Sequence, residues 1–231
     1  MADFDDELID LAAACAADPL RWALHAYDWG RGELEGVTGP RSWQREVMSD
    51  IGSHLKNPAT RFQPLMLAVA SGHGIGKSAG IGMVVNWAVS TCEDTKVVIT
   101  ANTDTQLRTK TAPEVGKWQR LAITSLWLDV QATSVAVRDK DHAKTWRADF
   151  VPWSEHNTEA FAGLHNKGKR IVLIFDEASA IADKVWEVAE GALTDDGTEI
   201  IWIAFGNPTR NVGRFRECFR RFKHRWKARQ I

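Results

Sequence analysis

The sequence predicts an α/β fold in which a mainly parallel sheet is covered by helices on both faces. Short apolar runs such as LMLAVA (65–70), KVVITA (96–101) and IVLIFD (171–176) alternate with segments of helical periodicity. Continuous apolar strands are typical of parallel sheets that are buried on both sides. With 231 residues, 44% of them hydrophobic and 26% charged, the chain can bury one substantial core, which excludes a disordered protein.

Helical segments come first along the chain, and strands alternate with helices after them. Periodicity predicts a helix over 5–17, a short helix after Asp18-Pro19, and a third over RSWQREVMSDIGSHL that follows the glycine-rich loop at 29–40. The later elements are expected as strand 65–70, helix 77–90, strand 96–101, helix 103–121, weaker strands near 130–137 and 146–153, strand 171–176, helix 183–193 and strand 199–205. We expect an N-terminal helical subdomain over 1–35, a core over 36–210, and a basic C-terminal helix or linker over 211–231.

The cysteine content and the chain start indicate a cytosol-like compartment. Cys15, Cys92 and Cys218 are far apart and form no CxxC pair, so neither a disulfide framework nor a zinc site is predicted. The first ten residues, MADFDDELID, are acidic where a secretory signal is basic. Because no apolar run approaches the roughly 18 to 20 residues of a membrane span, we expect a soluble protein.

The C-terminal residues are strongly basic. Residues 209–231 hold nine Lys or Arg and one acid, whereas the net charge of the whole chain is -1. Aromatic residues interleave with the cations at helical spacing, so the segment is either a helix packed on the core or a binding surface for a phosphate backbone. The DNA-binding candidates are Arg214, Arg220, Arg221, Arg225 and Lys227. A chain that ends in such a segment also suggests a longer parent protein.

The stretch SGHGIGKSAG (71–80) lies between a predicted strand and a predicted helix, which is the context of the phosphate-binding loop GxxxxGK[ST]. Ser71 takes the place of the first glycine of this motif. Lys77 is expected to reach the β and γ phosphates, and Ser78 to bind Mg²⁺. The alternative is a glycine-rich turn without a ligand. The nucleotide-binding residues predicted in the loop are Ser71, Gly72, His73, Gly74, Ile75, Gly76, Lys77 and Ser78.

An acidic pair completes the predicted catalytic site. Asp176 ends the apolar strand IVLIFD, where its carboxylate can hold Mg²⁺ partly through water. Glu177 follows directly and can align the water that attacks the γ phosphate or accept its proton. Glu177 and Lys77 are therefore the predicted catalytic residues.

Two further polar residues are candidates for the site. Gln44 starts a helix upstream of the loop, and its amide can offer one donor and one acceptor to the edge of adenine. Asn207 follows the strand EIIWIAF, where it is either a sensor of the γ phosphate or a turn residue before Pro208. In sheets of this type, another strand is inserted between the strand of the loop and the strand of the acidic pair.

These motifs together resemble the ATPase half of the large terminase subunit of tailed bacteriophages, and the resemblance covers nearly the whole chain. The segments that carry it, in order, are DPLRWALHAYDWG (18–30), GPRSWQ (39–44), SGHGIGKS (71–78), TANTDTQ (100–106), FAGLH (161–165), IFDEAS (174–179) and FGNP (205–208). The family often has serine or alanine first in the loop, so Ser71 agrees with it. By this resemblance Gln44 reads adenine, Glu177 is catalytic, and Asn207 lies in the motif that couples hydrolysis to DNA movement.

The resemblance implies a RecA-like (ASCE) P-loop NTPase fold that uses ATP and Mg²⁺ to move double-stranded DNA into a procapsid. It also implies a portal protein and a small terminase subunit as partners, a homo-oligomeric ring on the procapsid, and action in the host cytoplasm. A nuclease domain is expected only in a longer parent chain. Helicase-like ATPases and non-hydrolysing, nucleotide-gated assembly modules are the alternative function classes.

The sequence departs from the family in its arginines. Many members carry an arginine inside the phosphate loop, where this chain has Gly72 and His73, and another shortly before the acidic strand, where it has Ala162-Gly163. A positive charge must compensate the transition state. The arginine-finger candidates are Arg138, Arg147 and Arg170, with Lys169 as a further cation.

Overall fold

A computed structural model of the chain describes residues 2–72, 74–101, 103–153 and 164–231. Its centre is an eight-stranded sheet. The strands are β1 (Leu65–Ala70), β2 (Lys96–Ala101), β3 (Leu128–Val130), β4 (Ser134–Val137), β5 (Arg147–Phe150), β6 (Arg170–Asp176), β7 (Glu199–Gly206) and β8 (Lys227–Gln230).

The strand order in the sheet is β3-β4-β5-β2-β6-β7-β1-β8. The pairs from β5 to β8 are parallel, whereas β4 runs antiparallel to β3 and β5. Strand β7 is the one inserted between β6 and β1, so the strand before the phosphate loop and the strand before the acidic pair are next-nearest neighbours. Both end at the same edge of the sheet because the three strands are parallel.

The helices have nearly the predicted bounds. They are α1 (Ala2–Ala14), α2 (Pro19–His25), α3 (Ser42–Lys56), α4 (Lys77–Thr91), α5 (Asp104–Gln106), α6 (Ala112–Leu121), α7 (Asp183–Ala192) and α8 (Arg214–Glu217). The helix predicted over 103–121 contains a π-helical turn, Leu107–Thr111, between α5 and α6. None of the helices in the described ranges has both the length and the apolarity that crossing a membrane requires.

Side chains of the central strands alternate between two buried faces. On β6, Val172 and Ile174 belong to the hydrophobic cluster that contains α1 to α4 and α6, whereas Leu173 and Phe175 belong to the cluster that contains α7. Each fully buried side chain of this kind contributes about 1.5–3 kcal/mol. The prediction of helices on both faces of a parallel sheet is confirmed.

The N-terminal helices share a core with the sheet. The Trp22 indole donates to Asn86 Oδ1 at 2.8 Å, and the Trp87 indole donates to the Cys15 carbonyl at 2.9 Å. The short helix predicted after Asp18-Pro19 is α2, and Asp18 caps it by accepting from the Arg21 amide at 3.0 Å. Helices α1 and α2 therefore pack directly on α4, the helix that follows the phosphate loop.

The basic C-terminal segment differs from the predicted helix. Only Arg214–Glu217 is helical, and β8 pairs in parallel with β1 at the edge of the sheet. Trp226 is buried with its ring 5.0 Å from the ring of Trp202. These contacts with the core outweigh the local helical periodicity. The predicted packing of the aromatic residues on the core is nevertheless present, because Phe215 is buried in the same cluster.

A second difference lies at the far end of the sheet. The weak strand predicted near 130–137 is a hairpin of β3 and β4, closed by a bond from the Gln131 amide to the Ser134 carbonyl at 2.8 Å. Three turn residues, 131–133, split the apolar pattern. Periodicity over so short a segment does not separate one strand from two.

Candidate nucleotide site

The loop between β1 and α4 depends on two glycines with left-handed backbone conformations. Gly74 has φ 74° and Gly76 has φ 85°, a region that other residues occupy at a cost in energy. The loop is joined to the end of β7 by the Ser71 amide, which donates to the Gly206 carbonyl at 3.0 Å. The two glycines bend the chain just before α4, and the bond of the Ser71 amide fixes the start of the loop. His73 lies outside the described residues.

Lys77 is the first residue of α4, and its side chain is buried. Its ammonium nitrogen lies 3.2 Å from the Gly72 carbonyl oxygen and 3.8 Å from Glu177 Oε1. The contact places the predicted phosphate-binding lysine and the predicted catalytic glutamate on the same cavity. A buried ammonium with two oxygen neighbours is well placed to exchange them for phosphate oxygens.

Asp176, the last residue of β6, is buried, and each of its carboxylate oxygens accepts a hydrogen bond. Its Oδ2 accepts from the Thr111 hydroxyl at 2.6 Å, and its Oδ1 accepts from the Glu177 amide at 3.0 Å. Burial raises the pKa of the Asp176 carboxyl above its usual range, the bond from Thr111 opposes this, and the nearby Glu177 adds to the rise. Sequence reasoning missed Thr111, because only the π-helical turn brings its hydroxyl to the end of β6.

Glu177 has a backbone conformation that is unusual for a residue with a side chain. Its φ of 52° and ψ of 45° lie in the left-handed region, and it caps the 3-10 turn Ala178–Ala180. Such strain costs on the order of 1–3 kcal/mol and is found mostly at functional sites. The kink turns the chain at the end of β6, so that Glu177 lines the cavity beside Lys77.

A cavity of about 750 Å³ brings these residues together. It is formed by the phosphate loop, the first turn of α3, the segment from α5 to α6, the end of β6, and the residue after Pro208. Two cations in its wall, Arg41 and Lys110, were not foreseen. Their position follows from the packing of α3 and the π-helical turn rather than from any motif. The lining residues are Arg41, Gly74, Gly76, Lys77, Ser78, Ala79, Gln106, Lys110, Glu114, Asp176, Glu177, Ser179, Ala180 and Thr209.

The donor set in the cavity fits a magnesium ion. Ser78 and Asp176 offer a hydroxyl and a carboxylate oxygen in one wall, and Mg²⁺ prefers oxygen ligands of this kind. Burial makes the negative charge of Asp176 costly and raises its pKa, so a cation beside the carboxylate would be favourable.

Gln44 lies beside the loop but does not line the cavity. Its Oε1 accepts from the Arg41 amide at 2.8 Å, and its Nε2 donates to the Gly76 carbonyl at 2.8 Å. The adenine contact therefore stays a prediction. Asn207 directly follows β7 and is half-buried, and its carbonyl accepts from the Thr209 amide at 2.7 Å. Its sensor role likewise stays a prediction.

The arginine-finger candidates lie at the end of the strands that faces away from the cavity. Arg170 begins β6 and Arg147 begins β5. Arg138 follows β4, which runs antiparallel to β5 and therefore ends beside the start of β5. A seven-residue strand is about 20 Å long, which separates Arg170 from Asp176 at the other end of β6. Arg170 is also buried and pairs with Glu199 at 2.7 Å, so it is corrected from a candidate finger to a core residue. Arg138 and Arg147 stay predicted arginine fingers, and their position rules out a contact with the cavity of their own chain.

Three of the five DNA-binding candidates are ion-paired with the core. Arg214 lies 2.5 Å from Glu190, Arg225 contacts the same carboxylate, and Lys227 lies 2.6 Å from Asp50. We call Arg214, Arg225 and Lys227 the paired tail cations. We call Arg220, Arg221 and Lys223 the free tail cations, because they are exposed and have no carboxylate within 4 Å in the described part of the chain.

Comparison of the sequence with known proteins finds a matching family model and a terminase relative. Residues 68–189, which run from the strand of the loop past the acidic pair, match the family model of the helicase domain of the RNA cytidine acetyltransferase NAT10/TcmA. A "Probable terminase, large subunit" of Enterobacteria phage P7 is 27% identical and is matched over 91% of this chain. The chain spans 42% of that relative's length.

Solved structures of large terminases have the same fold. The large terminase of bacteriophage HK97 aligns with 93% of this chain and 43% of its own, with a TM-score of 0.59 at 11% identity. The ATPase domain of the Thermus phage P74-26 large terminase aligns with 78% of this chain and 69% of its own, with a TM-score of 0.52 at 17% identity. The large terminase of the thermophilic bacteriophage D6E in complex with ADP aligns with 76% and 42%, with a TM-score of 0.50 at 14% identity. The predicted α/β, RecA-like fold is confirmed.

Proposed function

Because the chain belongs to the family of the NAT10/TcmA helicase domain and is similar to a phage large terminase and to large-terminase ATPase domains, we propose that it hydrolyses ATP to drive double-stranded viral DNA into a procapsid. One observation carries the proposal. Lys77 and Ser78 from the phosphate loop and Asp176 and Glu177 from the end of β6 line a single cavity. Residues about a hundred positions apart meet there with the groups that phosphoryl transfer requires.

Each side chain has a separate task in this chemistry. The loop amides and Lys77 bind the phosphates, and the ammonium offsets the charge that develops on the transferred group. Glu177 orients the attacking water or takes its proton, since its carboxylate lies 3.8 Å from the Lys77 ammonium. Ser78 and Asp176 would hold Mg²⁺, which supplies charge neutralisation to the phosphate oxygens. Thr111 keeps the Asp176 carboxylate in place.

The link from hydrolysis to DNA movement is proposed to start at Asn207. It follows β7, which lies between the strands of the phosphate loop and the acidic pair. The free tail cations are the proposed DNA contacts of this chain, because the paired tail cations are neutralised by Glu190 and Asp50.

The wider assembly is also a proposal, and it rests on the resemblance to large terminase subunits. A portal protein, a small terminase subunit and further copies of the chain in a ring are the expected partners, with action in the host cytoplasm. A nuclease activity is expected only from a longer parent chain.

Transition-state charge is proposed to be completed by a neighbouring copy. Arg138 and Arg147 lie at the sheet edge opposite the cavity, so they can serve only a site in trans. Specific activity should therefore rise with protein concentration as copies associate. A monomer, confirmed by light scattering, that turns over about once per second or faster would refute a trans donor, since that is an ordinary enzyme rate.

A helicase-like ATPase is the second candidate, favoured by the name of the matched family model. Helicases of this kind pair two similar folds, and the sequence holds one phosphate loop. Unwinding of a labelled duplex by the chain would support the helicase alternative. A module that binds ATP without turnover is the third candidate, and absence of phosphate release would support it.

The proposed function is tested by phosphate release from the wild type, Lys77→Ala and Lys184→Ala. Lys184 is exposed on α7 and serves as the matched control. We expect Lys77→Ala to abolish turnover and the control to keep it, because only Lys77 lies at the phosphate loop. More than about a tenth of the wild-type rate in Lys77→Ala would place the site elsewhere.

A further inference from the structure

The cations that line the nucleotide cavity differ in what holds them. The Lys77 ammonium lies 3.8 Å from Glu177 Oε1, and the Arg41 guanidinium donates to the Gly74 carbonyl at 3.3 Å. Lys110 lines the same cavity and is exposed, and no carboxylate of the described residues lies within 4 Å of its ammonium. Its three N–H donors are therefore available to an anion that enters the cavity.

Lys110 faces the cavity because of the helical segment that carries it. Gln106, Lys110 and Glu114 follow one another at intervals of four residues, and all three line the cavity. Residues four apart lie on the same side of a helix. Lys110 also belongs to the π-helical turn Leu107–Thr111, and turns of this kind are frequent at functional sites. The segment therefore presents one polar face to the cavity, with the Lys110 cation at its centre.

The same turn determines which end of a bound nucleotide lies near Lys110. Its neighbour Thr111 donates to Asp176 Oδ2 at 2.6 Å, so the turn is held against the carboxyl end of β6. Glu177 follows Asp176 there and lies 3.8 Å from the Lys77 ammonium. The proposed chemistry places the γ phosphate between Lys77 and Glu177. Lys110 is therefore on the γ-phosphate side of the cavity.

We propose that Lys110 contacts the γ phosphate of bound ATP and raises the affinity of the cavity for a nucleoside triphosphate relative to the diphosphate. The inference rests on the proposed function, because it takes the cavity as the ATP site. It deepens that function by assigning a residue that distinguishes the substrate from the product. A lysine suits this task, since its ammonium is a compact charge on a flexible stem and can follow the phosphate oxygens. The contact acts on substrate binding and is separate from the transition-state charge of a neighbouring copy.

Binding of ADP and of the non-hydrolysable β,γ-imido analogue of ATP, each with Mg²⁺, to the wild type, Lys110→Gln and Arg108→Gln tests the proposal. Arg108 is the matched control, because it lies on the same turn but pairs with Asp104 at 2.7 Å and lines a different groove. Loss of one charge-assisted hydrogen bond should weaken the triphosphate analogue about tenfold in Lys110→Gln and leave ADP within about twofold of the wild type. The control should leave both affinities unchanged.

Lys110→Arg and the melting temperature separate a phosphate contact from a structural role. Arginine keeps the positive charge, so Lys110→Arg should retain most of the affinity for the triphosphate analogue. Lys110→Gln should melt like the wild type, because the side chain is exposed. Equal loss of both affinities in Lys110→Gln, no loss of either, or the same change in Arg108→Gln would each overturn the proposal.

Duplex DNA is the other anion that an exposed lysine can bind, and the salt dependence of DNA binding tests this alternative. Lys110→Gln should leave the slope of log K against log salt concentration unchanged. A slope reduced by about 0.9, with an unchanged ratio of triphosphate to diphosphate affinity, would make Lys110 a DNA contact and overturn the proposal. A wild-type chain that binds neither nucleotide would instead refute the proposed function.

Discussion

Replacement of Arg170 by methionine should destabilise the protein without slowing the chemistry. The guanidinium donates to Glu199 at 2.8 Å and to the Ala16 carbonyl at 2.7 Å, and it lies 4.3 Å from the Trp87 ring centre. Bonds to a charged group contribute about 1.5–3 kcal/mol, and a cation over an aromatic ring contributes about 0.5–2 kcal/mol. Glu199 keeps its second partner, Arg61, at 2.7 Å, so we expect a total loss of about 3–5 kcal/mol.

Thermal unfolding and phosphate release together measure this effect. For a chain of this size, 1 kcal/mol shifts the melting temperature by about 2–4 °C, so Arg170→Met should lower it by about 6–20 °C. Turnover per folded molecule, measured well below both transitions, should equal that of the wild type. Arg31→Met is the matched control, since the Arg31 side chain is exposed and its loss should shift the melting temperature little. A variant of Arg170 that melts like the wild type but has lost turnover would show that it is the arginine finger after all.

Three further predictions concern the contact of Thr111 with Asp176, the cations of the tail, and the half-buried His142. Thr111→Val removes the hydroxyl that donates to Asp176 at 2.6 Å, so steady-state phosphate release should fall about tenfold, and an unchanged rate would contradict its positioning role. Changing the free tail cations to glutamine should reduce the slope of log K against log salt concentration for duplex DNA binding, measured by fluorescence anisotropy, by about 0.9 per lost phosphate contact. The same change of the paired tail cations should leave this slope unaltered. The hydrogen bond that the His142 ring donates to the Asp94 carboxylate raises the pKa of His142 and lowers the pKa of Asp94. The pair therefore stabilises the fold between the ordinary values of about 3.9 and 6.5, and its contribution is lost as the pH rises through the raised pKa of His142. His142→Gln should therefore lower the melting temperature more at pH 5 than at pH 8, and equal shifts at both pH values would argue against it.

The parts of the fold that local pattern determines were predictable. LMLAVA and KVVITA form strands with the predicted bounds, and α4 begins at Lys77, because continuous apolar runs and a glycine-rich turn are local signals. The meeting of Lys77 with Glu177 was also predictable, since parallel strands bring their carboxyl ends to one edge of the sheet.

Features that depend on contacts between distant segments were not predictable. The strand β8 exists because β1 offers it a free edge and α3 offers Asp50 to Lys227, neither of which local sequence shows. The role of Thr111 depends on one extra residue in a helical turn. The position of Arg170 at the amino end of β6 could have been read from the strand itself, because a residue that begins a parallel strand lies far from one that ends it.

Hydrolysis by Glu177→Gln, compared with Glu187→Gln, tests the central claim most directly. Glu187 is an exposed glutamate on α7 and gives the matched control. We predict that Glu177→Gln binds ATP with wild-type affinity but releases phosphate slower by a factor of about 10² or more, because the fold survives while the attacking water loses its base. The control should do both at the wild-type level. Phosphate release by Glu177→Gln at the wild-type rate, or a loss of ATP affinity in step with the rate, would contradict a catalytic glutamate at the end of β6.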